Sequence, residues 1–272
     1  MATSDIEDSI RSPPRYANCE SPGAMDALAT TAASGMRARM ESLDMLANNL
    51  ANSSAAGFKA DREFYSTYVA AEALDSNEAA GDLSAQSPVV ERRWTDFSQG
   101  ALTPTNNALD LALEGEGFFV AQSPSGAVYT RSGDFHIDSQ GLLTTRNGEA
   151  VEGSDDNPIH LDPAQPVEVS TSGQVLQNGV PAGQLKLVQF AAPQALSKRG
   201  NNSFQLSAAD LTPVPSSATV RQGNVEAANV QPAETAVRLV GVMRQFEMLQ
   251  KAMSLGNQMN QQAIQNVAKA SG

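Results

Sequence analysis

The hydrophobic period changes twice along this chain, and that constrains the fold more than any other feature. From Ala29 and Ala33 through Met36, Met40, Leu43 and Ala47 to Leu50, apolar residues recur at alternating spacings of four and three. This is the seam of a helix that packs against another helix. Near the other end, Ala233 to Ala268 reads as a second helix. Pro232 suits its first turn, and Leu239, Val242, Met243, Phe246, Leu249 and Met253 give it one broad apolar face. Between the helices, from Pro88 to about Val220, the period is two.

The middle reads as short strands and turns. Phe118 to Ala121, Val128 to Arg131, Phe135 to Ile137, Leu142 to Thr145, Val167 to Val169, Gln174 to Leu176 and Leu185 to Phe190 are the strands. Gly-containing turns separate them, and Asn147-Gly148 favours a type I′ hairpin. Strands this close together pair antiparallel. The expected fold class is therefore α+β: long N- and C-terminal helices pairing in a coiled-coil-like domain, with a central antiparallel β-rich domain. The expected divisions are a disordered, proline-punctuated extension over 1–24, an N-terminal helix and connector over 25–85, a β-rich middle over 86–220 and a C-terminal helix over 221–272. The first helix should run from about Asp26 to Asn52. Gly57 is placed for a left-handed cap and Phe58 for the accompanying hydrophobic contact. Lys59 to Ala85 reads as an extended connector with some helix.

Composition excludes several classes of function. A net charge of −12 argues against a nucleic-acid partner, because phosphate contacts need clustered Lys and Arg. The single cysteine, Cys19, rules out an intramolecular disulfide framework. No apolar run approaches the ~20 residues of a membrane span. Met1 to Gly23 lacks the apolar stretch of a secretory signal peptide. The two histidines, His136 and His160, have no second ligand at metal spacing. Gly115-Glu116-Gly117 lacks the third glycine of a dinucleotide loop and precedes a strand. Asp155-Asp156-Asn157 does not have the spacing of an EF-hand. Glu114 and Glu116 are the one carboxylate pair that suggests a β-rich polysaccharide-processing enzyme, and no further catalytic group accompanies them. A carbohydrate- or cell-wall-binding module would want a stacking platform, and the chain has one tryptophan, Trp94. The expectation is no catalytic residue, no cofactor, no metal and no small-molecule substrate.

Three groups of residues carry a resemblance to a known family. Asn48-Asn49-Leu50-Ala51-Asn52, followed by Gly57-Phe58, resembles the N-terminal signature of flagellar rod and hook proteins. Leu109 to Phe119, with Gly115, Gly117, Phe118 and Phe119, resembles the family's central motif, which Tyr129 to Phe135 and Asp138 to Leu143 continue. Gln222 to Val230 resembles the segment before the terminal helix, where Asn229-Val230 fits and Ala228 replaces the family's usual serine. Arg244 to Met253 resembles the proximal-rod branch of the family more than the distal-rod branch. Family members typically begin at a Met-Asp pair, so the resemblance makes Met25-Asp26 the expected start and residues 1–24 an extension.

The resemblance implies a structural subunit that polymerises with itself and with other flagellar rod proteins. It also implies export through the flagellar type III apparatus, without a cleaved signal peptide, to a basal-body rod in the periplasm. The assembly surface expected from the helical seams is Met36, Met40, Leu43, Ala47 and Leu50 together with Leu239, Val242, Met243, Phe246, Leu249 and Met253. A C-terminal helix of ~37 residues would span about 55 Å, more than the N-terminal helix can cover. Apolar surface would then remain open on a single copy.

Overall fold

The computed structural model describes residues 23–69, 86–207 and 212–270. Helix α1 runs Gly23–Ala51 and helix α2 runs Pro232–Ala270. At ~1.5 Å per residue they are about 43 and 58 Å long. Most of the expected extension, residues 1–22, lies outside the described residues.

Each helix end at the middle of the molecule has a local cause. The last carbonyls of α1 are taken by the residues that stop it. Asn52 donates to Asn48 O through both its backbone N–H (3.1 Å) and Nδ2 (2.9 Å). Ser53 donates to Leu50 O through its N–H (3.2 Å) and Oγ (2.7 Å). These groups would otherwise be orphaned. α2 opens with Pro232, where a missing N–H costs nothing, and carries Glu234 in its first turn, where the helix dipole favours an acid. Gln231 O accepts the first helical bond, from Thr235 N–H at 3.0 Å.

Gly57 has φ +66° and lies six residues beyond α1, so it is not the helix cap. Its left-handed backbone serves a close approach. A Cβ there would sit 2.3 Å from Ser132 N and 2.4 Å from Arg131 C.

Beyond α1 the chain forms strand β1 (Asp61–Val69), which pairs antiparallel with β2 (Gln86–Thr95), Asp61 opposite Thr95. The expected connector is thus a β-hairpin arm in its first part, and residues 70–85 lie outside the described residues. A two-stranded hairpin is marginal alone in water. This one leans on α1. Ser42 Oγ donates to Glu63 Oε1 at 2.7 Å, and Arg93 Nη2 donates to Glu41 O at 3.2 Å.

The β-rich body is antiparallel throughout the described residues. Its main sheet is built on Phe118–Ser123, flanked along one edge by Gly126–Thr130. The opposite edge is shared by Leu187–Gln189 and Ala150–Val151. The hairpin Leu196–Gly200 with Ser203–Leu206 extends the sheet on one side, and Leu143–Thr145 with Phe135–Ile137 on the other. Period two has a direct reading at Phe118–Val120. Phe119 enters one apolar cluster, with Leu111, Leu113, Phe135, Leu143, Val151, Ile159 and Val220. Phe118 and Val120 enter a second, with Tyr129, Val188, Phe190, Leu196 and Phe204. The central strand is therefore covered on both faces.

The turn at Asn147-Gly148 differs from the expected type I′. Only Gly148 is left-handed, φ +81°. Gly148 N–H reaches Thr145 O at 2.8 Å, and Thr145 N–H reaches Glu149 O at 2.8 Å. This is the three-residue hairpin loop that ends in a left-handed glycine.

Candidate functional site

The segment that leaves α1 and the segment that enters α2 meet on the β-rich body, and nearly every polar group there is used. Gly57, Phe58, Lys59 and Ala60 form a fully buried run. Gly57 N–H donates to Glu226 O at 2.7 Å. Ala56 O accepts from Asn202 Nδ2 at 2.9 Å, and Lys59 O accepts from Lys198 Nζ at 2.6 Å. Lys198 also pairs with Asp61 at 2.8 Å and lies 4.7 Å from the centre of the Phe58 ring.

Two asparagines of the sequence motifs act as backbone surrogates in this junction. The Asn49 side chain, buried on α1, pairs with both backbone groups of Asp61: Nδ2 to the carbonyl at 2.8 Å, and Oδ1 from the N–H at 3.0 Å. Asn229 accepts from Ala60 N–H at 2.8 Å and donates to Asp96 O at 2.7 Å. An amide carries a donor and an acceptor at a fixed spacing, so it can stand where a neighbouring strand would. These contacts tie α1 to β1, and the segment before α2 to the residues that flank both strands of the arm. Asn48 and Asn52 lie at the end of α1, Asn48 exposed and supplying the carbonyl that Asn52 caps. Val230 is half-buried just before α2.

At the centre is a group of charges with no exposure. Lys59 Nζ lies 2.6 Å from Glu226 Oε1, both side chains 0% exposed. The same lysine donates to Ser98 O at 2.7 Å, and Gly100 N–H donates to Glu226 Oε1 at 2.8 Å. Arg131 Nε, from the edge of the main sheet, lies 3.6 Å from Glu226 Oε2, and its Nη2 donates to Gly115 O at 2.8 Å. Burial lowers the Lys59 pKa below the ordinary lysine value, and nearby Arg131 adds to this, while Glu226 and Asp96 oppose it. Burial lowers Arg131 as well, against Glu226 and Glu116. Neither Lys59 nor Glu226 stands out in the sequence, where one opens the connector and the other lies within Gln222 to Val230.

α1 and α2 lie against each other. Because α1 ends and α2 begins at one junction, the pair runs antiparallel. On α1 the buried residues are Gly35, Ala38, Ser42, Met45, Leu46 and Asn49. The seam picked out by period lies elsewhere, roughly 140° round the helix at ~100° per residue. On it Met36, Leu43 and Leu50 are half-buried, Ala47 is exposed and Met40 is 53% exposed. On α2, Leu239, Val242, Phe246, Leu249 and Met253 are half-buried, while Met243 is exposed. Ile264 continues that half-buried stripe and is 63% exposed. A second stripe, which the sequence reading missed, runs along the opposite side of α2 through Val237, Met248, Leu255 and Met259, all more than half exposed.

Two polar clefts, about 520 and 490 Å³, flank the Asn201-Asn202 turn. Three of their four carboxylates are engaged, Asp110 by Asn107 Nδ2 at 2.9 Å, Asp134 by Arg146 Nε at 2.8 Å and Asp61 by Lys198, and the fourth, Asp44, is exposed. Glu114, of the tempting Glu114/Glu116 pair, is exposed and bound by Arg221 at 2.7 Å. Among the described residues no group of three or more His, Cys, Asp and Glu could hold a metal ion.

The arrangement defines a class of protein: an α+β subunit with both chain ends clamped on one β-rich body and two long helices that keep apolar stripes open. Comparison with known proteins identifies the class. Residues 30–59 match the family model described as flagella basal body rod protein. Residues 112–177 match the flagellar hook protein FlgE/F/G D1 domain, and residues 221–266 the flagellar basal body rod FlgEFG protein C-terminal model. Flagellar basal-body rod protein FlgF of Caulobacter vibrioides is 32% identical over 233 residues, 84% of this chain and 92% of that protein. FlgG of the same organism is 32% identical over 262 residues, covering 86% and 97%, and FlgG of Borreliella burgdorferi is 32% identical over 253 residues, covering 84% and 94%. The chain belongs to the flagellar basal-body rod protein family.

Proposed function

We propose that this chain is a structural subunit of the flagellar rod, of the proximal-rod kind typified by FlgF, that polymerises through its terminal helices. The carrying observation is the second apolar stripe on each helix. Large side chains such as Met40, Met248, Leu255 and Met259 stay open although α1 and α2 already pair. Large apolar side chains left exposed in a row on one helix face mark an interaction site. A contact that joins different patches on two copies propagates as a helical filament instead of closing. In this reading Met36, Met40, Leu43, Ala47 and Leu50 meet neighbouring subunits. Leu239, Val242, Phe246, Leu249 and Met253 hold the coiled-coil-like pair together, and Met243 stands at its margin.

The helical ends, 25–85 and 221–272, form the assembling part, and 86–220 the β-rich outer part, with the β1–β2 arm spanning the division. Neighbours are further copies and other rod proteins. The chain reaches the periplasm through the flagellar type III export apparatus. It has no catalytic step, cofactor or small-molecule substrate.

The distal-rod reading, FlgG, rests on relatives of equal identity. The Arg244–Met253 segment supports the proximal one. Complementation decides between them. The chain is expected to restore swimming to a strain lacking its own proximal-rod protein F and to leave a protein G null immotile. Rescue of only the protein G null would reverse the assignment, and rescue of neither would remove the rod reading.

A further inference from the structure

The buried charges do more than hold one contact, because they come from three parts of the chain that can be docked separately. Lys59 arrives with the segment that leaves α1. Glu226 arrives with the segment that enters α2, 167 positions away. Arg131 belongs to the β-rich body, 4% exposed, following the strand Gly126–Thr130. Two cations share one carboxylate. Neither Arg131 Nη1 nor Glu226 Oε2 has a hydrogen-bond partner. The Arg131 guanidinium is otherwise held by Gly115 O and lies 5.8 Å from the centre of the Phe118 ring. Asp96 is the other acid acting on Lys59, and Arg62 binds it at 2.8 Å. Glu116 is the other acid acting on Arg131.

We propose that Glu226 is a keystone that makes the docking of the two chain ends interdependent and ordered, the C-terminal segment before the N-terminal one. The reasoning is a count of buried charge. The body alone contributes one cation, Arg131. Adding Glu226 gives a balanced pair. Adding Lys59 first puts a second buried cation beside the first without the buried carboxylate that lies between them, and removing one partner from a buried pair is strongly destabilising. Lys59 can seat only once the carboxylate is there to receive it. Backbone contacts then close the junction around the pair, since Gly57 N–H bonds to Glu226 O and Asn229 N–H bonds to Phe58 O at 3.3 Å. α1 and α2 are thus seated as a pair, with their outer stripes set relative to each other. The inference concerns the single copy and stands apart from the assembly reading.

Hydrogen exchange of the full chain, read by mass spectrometry, tests it. The junction peptides are those over 49–61 and 224–235, and the reference is the central strand Phe118–Ser123. Glu226→Gln is expected to speed exchange in both junction peptides together, by at least about tenfold, while the reference strand keeps its protection. Lys59→Met leaves the balanced Glu226–Arg131 pair, so 49–61 is expected to exchange as an undocked segment while 224–235 keeps the protection of a docked one. Adding Lys59→Met to Glu226→Gln removes one of the two like charges, so the double variant should exchange more slowly than Glu226→Gln alone. If Glu226→Gln loses the reference protection as well, Glu226→Asp replaces it. That change keeps the charge, breaks the 2.6 Å contact, and should loosen both junction peptides in step. The proposal is overturned if the Glu226 variant loosens only 224–235, if Lys59→Met strips 224–235 of its protection along with 49–61, or if the double variant shows the sum of the single effects.

Discussion

Gly57→Ala is expected to lower the melting temperature of the chain by about 10 °C, through a loss of about 3 kcal/mol. Two costs add at this position. The backbone is left-handed, φ +66°, which any residue with a Cβ adopts at a cost of about 1 kcal/mol. The new Cβ would also lie 2.3 Å from Ser132 N and 2.4 Å from Arg131 C. Both are backbone atoms at the edge of the main sheet, so no side chain can swing aside. The strain is relieved only by moving the buried run Gly57–Ala60 off the body, and that run carries Lys59 and its carbonyl, which Lys198 holds. Gly148→Ala is the control. Gly148 is left-handed too, φ +81°, but a Cβ there meets nothing within 4 Å. It should cost about 1 kcal/mol, the conformational part alone. Thermal melts of the two variants side by side test this. Equal shifts would mean that the close approach at Gly57 contributes nothing.

Met40→Asp and Met248→Asp are expected to abolish rod assembly while leaving the single copy as stable as wild type. Met40 is 53% and Met248 62% exposed, so an aspartate at either place stays in water in the free chain. Most exposed substitutions of this kind change stability by less than about 0.5 kcal/mol. In an assembled rod the same carboxylate would be buried without a partner. A cost of about 3 kcal/mol per contact would weaken association by more than about 100-fold. Every copy in a filament repeats the contact, so the effect recurs at each addition. Swimming assays and electron microscopy of basal bodies report the loss, and thermal melts of the purified variants report the unchanged fold. Normal rods with either aspartate would take that stripe out of the interface. A lowered melting temperature would show that the residue already supports the single copy.

The outlines of the fold were legible because they are written in periodicity and turn chemistry. Pro232 marked the start of α2, Asn52 marked the end of α1, and the apolar run Phe118 to Ala121 marked a strand. The details that failed share a cause: the periodic reading weighs apolar residues and passes over polar ones. The buried face of α1 includes Ser42 and Asn49, which enter the interior because each bonds to the β1–β2 arm. A seam drawn by period alone, with Ala47 on it and Met45 and Leu46 off it, therefore traced the outer face. The arm itself was hidden because β1 pairs with a strand across residues 70–85. Lys59 and Glu226 were invisible for a further reason. A lysine is almost never fully buried unless paired, and its partner here comes from the far end of the chain. The motif runs around Gly57-Phe58-Lys59 and Glu226 to Asn229 mark two halves of one junction, and only the folded structure brings them together.

Chemical protection of the outer stripes tests the assembly reading most directly. With Cys19→Ser as background, Met40→Cys and Met248→Cys each place one thiol on an outer helix face. Alkylation rates are then compared in the purified free chain and in isolated basal bodies. The expected result is rapid labelling of both positions in the free chain and strong protection of both in basal bodies, with full reactivity restored on denaturing the assembly. Equal labelling rates in the free chain and in basal bodies that contain it would contradict the claim that the helices polymerise through these faces.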